Sequence, residues 1–223
     1  VGRRGKRKEG LEWIDEESRQ LRDKEKNRED VLRRARQRVR RLINANVDAW
    51  GEKAKFFTLT FRENVQDMDK ANEEFKKFRQ RLSRHVWGRD KPNALKYVAV
   101  VEFQKRGAIH YHVVTFNMPY VPHKELLELW GHGAVHIEKI DDCDNVGAYM
   151  TKYMAKGLDD ERLREKKCYF CSRGLAEPKE EIIKKEDLNA LRVALSPNKV
   201  YENQFENEQL GKICYEQYNL KRR

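Results

Sequence analysis

Two histidines separated by one residue, His110 and His112, sit inside the run Ala108 to Phe116 (AIHYHVVTF). That run is rich in β-branched and aromatic residues, so it reads as a strand. Positions i and i+2 of a strand point to the same face, so both imidazoles project together from a sheet. Side by side, they can clamp one divalent ion. A lone H-x-H is weak evidence, because a solitary histidine is more often a hydrogen-bonded core residue. The neighbouring strand Lys96 to Phe103 (KYVAVVEF) improves the case. If the hairpin folds about Arg106, Glu102 lies opposite His110, and cross-strand partners share a face. A carboxylate and two imidazoles then converge from one hairpin, a three-ligand open site suited to Mn²⁺ or Mg²⁺. A slip of one residue would turn Glu102 away.

The second chemical feature is Tyr149-Met150-Thr151-Lys152-Tyr153-Met154-Ala155-Lys156. On a helix Tyr149 and Tyr153 are one turn apart on one face, with Lys152 and Lys156 in a parallel row beside them. Val146, Tyr149, Met150, Tyr153 and Met154 also make an apolar stripe, so the tyrosines serve equally well as core residues. The lysine row speaks for chemistry. A phenol with a pKa near ~10 needs cationic help to attack as a phenolate.

These residues need elements to hold them. Lys55 to Phe61 (KFFTLTF) reads as a buried strand, and Asp69 to Trp87 as a helix with Ala71, Phe75, Phe78, Leu82 and Val86 at helical steps. The two hairpin strands follow, then a helix at Lys124 to Trp130, a strand at Ala134 to Ile140 and a helix at Asn145 to Lys156. The order β-α-β-β-α-β-α describes an α+β fold, an antiparallel central sheet with helices on one face. Beyond Gly157, Glu186 to Leu195 looks helical and Val200 to Tyr218 suits a late hairpin. The chain divides into a basic helical N-terminal arm (1–50), a central α+β core (51–160) and a C-terminal extension (161–223).

Charge adds a partner class. The 223 residues carry a net +11, with 48 Lys+Arg against 37 Asp+Glu, and residues 1–46 alone supply +7 of it. Between Val31 and Ile43 stand Arg33, Arg34, Arg36, Arg38, Arg40 and Arg41, with no acid. Leu32, Ala35, Val39 and Leu42 recur at helical steps in the same stretch, giving an amphipathic helix with a basic face. It is either a solvated surface helix or one that lies along phosphates, and the missing acids favour the second. Lys76, Lys77, Arg79 and Arg81 on the next helix, with Arg106 in the hairpin turn, extend the candidate DNA-binding set. No apolar run is long enough to span a bilayer, and basic Val1 to Glu9 has no apolar segment behind it, so neither a membrane span nor a secretory signal is expected. Cys143, Cys168, Cys171 and Cys214 offer one C-x-x-C pair without a second pair or nearby histidines, so ordinary thiols in a reducing, cytoplasmic setting are expected. No G-x-x-x-x-G-K-[ST] occurs, so no built-in ATPase or helicase is expected.

At these motifs the sequence resembles HUH replication initiators, the phage and plasmid replication-associated proteins of the filamentous-phage gene II and isometric-phage gene A kind. The resemblance covers roughly residues 53 to 182. Phe57-Thr58-Leu59-Thr60-Phe61 resembles the family's first motif, Gly107-Ala108-Ile109-His110-Tyr111-His112 the second and the double-tyrosine helix the third. Glu102 stands where related viral initiators keep an acidic metal ligand. Tyrosines that follow the histidine pair, rather than precede it, favour initiators over conjugative relaxases. The resemblance implies a ferredoxin/RRM-like HUH endonuclease fold. It further implies nicking and rejoining of single-stranded DNA at a replication origin or hairpin through a 5′-phosphotyrosine. Tyr149 and Tyr153 would be the nucleophiles, with Tyr153 cutting first, Glu102, His110 and His112 the metal ligands, and a host helicase the unwinding partner. Two alternatives stay open: a transposase of the same superfamily, and a non-catalytic DNA- or RNA-binding protein whose histidines merely pack or bind a structural metal.

Overall fold

The computed structural model describes residues 6–138, 140, 143, 145–156, 162, 166–207 and 209–220, with side chains except at 6–17, 22, 23, 155 and 156. A long helix α1 (Lys6–Asn46) precedes β1 (Lys55–Thr60), α2 (Met68–Trp87), β2 (Tyr97–Phe103), β3 (Ile109–Thr115), α3 (His123–Trp130), β4 (Val135–Glu138) and α4 (Val146–Lys156). Then come β5 (Tyr169–Cys171), α5 (Lys185–Leu195), β6 (Lys199–Asn207) and β7 (Gly211–Tyr218). Five strands form one sheet in the order β4-β1-β3-β2-β5, every neighbouring pair antiparallel, and β6 with β7 forms a separate hairpin.

Local chemistry sets the element ends. Asp67 caps α2 by accepting hydrogen bonds from the amides of Asp69 and Lys70, which also hold its carboxyl below the usual range. Gly131 ends α3 in the left-handed conformation, φ 72°. The hairpin register is the one its sequence implied: Glu102 faces His110 and Val100 faces His112.

The α+β fold with an antiparallel central sheet is the one the sequence implied, but helices cover both of its faces rather than one. On one face Phe57, Leu59, Ala99, Val101, Tyr111 and Val113 pack under α2 and α3, around Phe75, Phe78, Leu82, Leu126 and Trp130. On the other, Phe56, Val98, Val100, Val114 and Phe116 pack under α1 and α4, against Val39, Leu42, Ile43, Val146, Met150 and Met154. The physical reason is visible in β2, Tyr-Val-Ala-Val-Val-Glu-Phe, buried at every position. Strands buried on both faces read as continuous apolar runs rather than alternations. Each large apolar side chain so buried contributes about 1.5–3 kcal/mol.

Three further differences follow from tertiary contacts. The helix expected at Val31 to Ile43 is part of one element that runs from Lys6 to Asn46. Two of its arginines find acids from far along the chain: Arg38 pairs with Glu177 at 3.2 Å and Arg41 with Glu180. Strand β5, three residues long, is too short for any periodicity to announce it. The four cysteines are free thiols. No helix among the described residues is long and apolar enough to cross a membrane.

Candidate active site

Strand alternation decides which residues reach the face under α1 and α4. Along the ladders His136 and His112 flank Thr58, and Val100 and Tyr169 continue that row; Thr60, His110 and Glu102 form the next. The sheet face is therefore apolar beneath the middle of α1 and polar towards the β2–β3 turn. Glu102, His110 and His112 are all buried, at 8%, 6% and 4% exposure. Burial of polar groups at this level normally requires partners.

His112 has two. Its Nδ1 lies 2.9 Å from Thr58 Oγ1 and its Nε2 lies 2.6 Å from Glu102 Oε2. His110 differs, for its Nε2 is buried with no hydrogen-bond partner. Burial, helped by the neighbouring His112, pushes the His110 imidazole down to about 4. That keeps it neutral at ordinary pH, the form that ligates a metal. Two imidazoles and a carboxylate fit a divalent ion of the Mn²⁺ or Mg²⁺ class, and the unpartnered Nε2 is the atom such an ion would satisfy. Among the described residues one group brings three potential ligand atoms within 4.8 Å of one another: exposed Glu202 and Cys214 with Glu216 on the β6–β7 hairpin. Glu102, His110 and His112 are more open than that, with Glu102 and His112 in contact and His110 apart.

Helix α4 carries the tyrosines, and its seating is built by small polar residues. Asn145 accepts from the amide of Ala148, and Asn44 of α1 accepts from the amide of Gly147. A Cβ at Gly147 would lie 2.3 Å from the Arg40 carbonyl, so only glycine lets the two helix backbones approach this closely. Thus seated, α4 buries Val146, Met150 and Met154 and leaves Tyr149 and Tyr153 half-buried at the edge of the core. The two tyrosines combine apolar packing with polar contacts. The rings pack on Phe56, with centroids at 5.5 and 5.9 Å, while their hydroxyls reach polar partners.

The Tyr153 ring stacks on His112, centroids 3.6 Å apart and planes 18° from parallel. Its hydroxyl donates to the Tyr149 hydroxyl at 3.2 Å, and the Tyr149 hydroxyl donates in turn to Glu138 of β4. The Glu138 carboxylate and the Tyr153 hydroxyl both push the Tyr149 phenol above its ordinary range. Lys152 holds its Nζ 5.2 Å over the Tyr149 ring, against the ring face rather than the hydroxyl. The Lys156 side chain lies outside the described residues.

The candidate DNA-binding residues divide sharply. Lys76, Lys77, Arg79 and Arg81 are on α2, across the sheet from the histidines. Arg81 donates to the carbonyls of Leu129 and Trp130, and Arg79 lies over the rings of Phe75 and Tyr97, so both are used in packing. Lys76 and Lys77 pair with Glu73 and Glu74 one turn away. Arg33 pairs with Asp30, and Arg40 donates to Gln217. Arg34 is exposed and Arg36 half-buried. Arg106 donates to the Phe61 carbonyl at 3.1 Å, and its charge adds to the depression of His110.

Sequence reasoning missed Thr58, His136 and Glu138. Thr58 belongs to the Phe57–Phe61 strand motif, and the pairing of β1 with β3 sets it against His112. Glu138 had no local signal, because only the β4–β1 pairing brings it to α4. A family model described as replication-associated protein ORF2/G2P matches residues 54–158, which contain every one of these site residues. No curated protein and no solved structure matches the chain.

Proposed function

The chain belongs, through residues 54–158, to the replication-associated protein ORF2/G2P family, and from that premise we propose that it nicks and rejoins single-stranded DNA at a replication origin through a tyrosine. The observation that carries the reading is the Tyr153 ring stacked on His112, which sets an oxygen nucleophile beside two buried imidazoles and a carboxylate. Glu102, His110 and His112 would hold a divalent ion, which supplies charge stabilisation at the scissile phosphate.

The protein's own groups do the rest. Tyr153 Oη bonds to phosphorus while the bond to the 3′ oxygen breaks, leaving a 5′-phosphotyrosine and a 3′-OH once that oxygen takes a proton from water. The phenol proton of Tyr153 passes towards Tyr149 Oη, whose own hydrogen bond points at Glu138. Thr58 fixes the His112 ring by its bond to Nδ1, the usual service of an outer partner to a metal-binding histidine. The phosphodiester energy is retained in the tyrosyl bond, so rejoining needs no nucleotide cofactor. Tyr149, held back by Glu138, then serves the second transfer that a rolling circle requires. Unwinding falls to a host helicase.

The direct Glu102–His112 bond favours a second reading, a nucleic-acid-binding protein whose histidines are structural. Incubation with single-stranded DNA and Mn²⁺, followed by a denaturing gel, separates the two. A covalent species that disappears in EDTA and in Tyr153→Phe is the expected result. Binding without any adduct would establish the second reading instead, and an adduct in the Tyr149→Phe, Tyr153→Phe double variant would remove tyrosine from the mechanism.

A further inference from the structure

At the β5 edge of the sheet a cleft of 810 Å³ opens between α1, α2 and the segment 166–173. Its charged lining residues are Arg79, Lys166, Lys167 and Arg173, with no acid among them. Tyr97, Tyr169 and Phe170 supply aromatic surface in the same cleft. Arg79 lies over the Tyr97 ring at 5.2 Å, and its Nε–H is buried without a partner. Lys166 reaches Asp69 on the rim at 3.2 Å, while Lys167 and Arg173 are exposed. Basic groups interleaved with aromatic rings, Tyr169 and Phe170 half-buried beside the buried Tyr97, are the combination that single strands select, phosphates meeting the cations and bases the exposed rings.

Register ties this cleft to the site. His112 pairs with Val100, and Val100 pairs with Tyr169, so Tyr169 stands in the same row two strands away. Two inter-strand spacings amount to roughly 10 Å of sheet, with Val100 between the two positions and buried under α1 and α4, so the cleft and the histidines are neighbours on either side of a covered strand.

We propose that the β5-edge cleft is a nucleotide subsite of the single-stranded DNA substrate, in which a base stacks on Tyr169 and its flanking phosphates meet Lys167 and Arg173. The inference rests on the single-strand nicking reading above and adds the position of the strand beyond the scissile phosphate. It adds a contact at the β5 edge, separated from the histidines by the buried strand β2, and leaves the basic residues of α2 with no part in it except Arg79 at the cleft wall.

The test uses the full chain and an oligothymidylate roughly twenty nucleotides long, longer than the site of one binding groove, with and without 5-iodouracil substitutions. Anisotropy is expected to show Tyr169→Ala weakened between about five-fold and about 150-fold, the range that one base–aromatic stack commands, with Tyr169→Phe near wild type. Lys167→Gln with Arg173→Gln, both exposed and so neutral to folding, should lower the salt slope by about 0.7 per lost contact. Photocrosslinks should map to 166–173. Wild-type affinity in Tyr169→Ala and in the charge variant, with crosslinks elsewhere, would overturn the cleft while leaving nicking intact. Failure of the wild-type protein to bind the oligonucleotide would overturn both readings together.

Discussion

The two faces of the sheet are made from the same strands and put to different uses. Under α2 and α3 the Tyr111 ring stacks on Phe75 at 4.4 Å, its hydroxyl donates to Asn72, and Trp130 donates to the Thr60 carbonyl. Those polar atoms are paired within aromatic packing, and the buried atom without a partner on this side, Arg79 Nε, lies at the β5 edge over the Tyr97 ring. Under α1 and α4 the immediate neighbours of Tyr111, His110 and His112, are buried with a carboxylate, and His110 Nε2 has no partner. A buried, unsatisfied polar group costs about 1–3 kcal/mol. Both faces bury apolar cores, but the second also holds a cluster of ionisable groups whose burial works against stability, as expected where binding is to be met later. Strand alternation lets adjacent residues belong to these two regimes without any change of backbone.

The largest effect is expected from His110→Ala. Adduct formation should vanish, yet stability should hold or rise, because the substitution removes an unpaired buried polar atom. A large fall in the urea midpoint with activity retained would show that His110 is a packing residue. Next in size, Tyr111→Ala, one position away, should cost about 3–5 kcal/mol in denaturant unfolding, as large aromatic truncations in cores do. A loss under 1 kcal/mol would mean that the α2 face does not stabilise the fold.

A smaller effect is expected from Thr58→Val, which keeps the shape of the strand and removes the bond to His112 Nδ1. Metal affinity or single-turnover cleavage should fall about 10–100-fold with binding of DNA kept; unchanged values would leave Thr58 without a role. The smallest effects belong to α1. Arg38→Gln and Arg41→Gln break exposed ion pairs and should each change stability by less than about 1 kcal/mol. Each should also flatten the salt dependence of DNA binding by about 0.7 if its guanidinium leaves Glu177 or Glu180 for a phosphate. An unchanged salt slope would make α1 a packing helix. Deleting residues 1–46 cannot ask this question, since Val39, Leu42 and Ile43 go with it from the core.

What could be read in the sequence was local or governed by a single geometric rule. The i and i+2 spacing aligned His110 with His112, the turn at Arg106 set Glu102 against His110, and the helical step aligned Tyr149 with Tyr153. Each depends only on the period of one element or the closure of one hairpin. The tertiary structure alone decided what meets across long separations. It brought Thr58 to His112 and Glu138 to Tyr149, supplied Glu177 and Glu180 to arginines that have no acid nearby, and used Arg79 and Arg81 in packing. It also covered the second face of the sheet and added β5 at its edge. The reason is that a residue's own neighbours fix the direction of its side chain, whereas its partner is fixed by sheet order and helix seating. Those depend on burying apolar surface from the whole chain at once, and no short window of sequence records that sum.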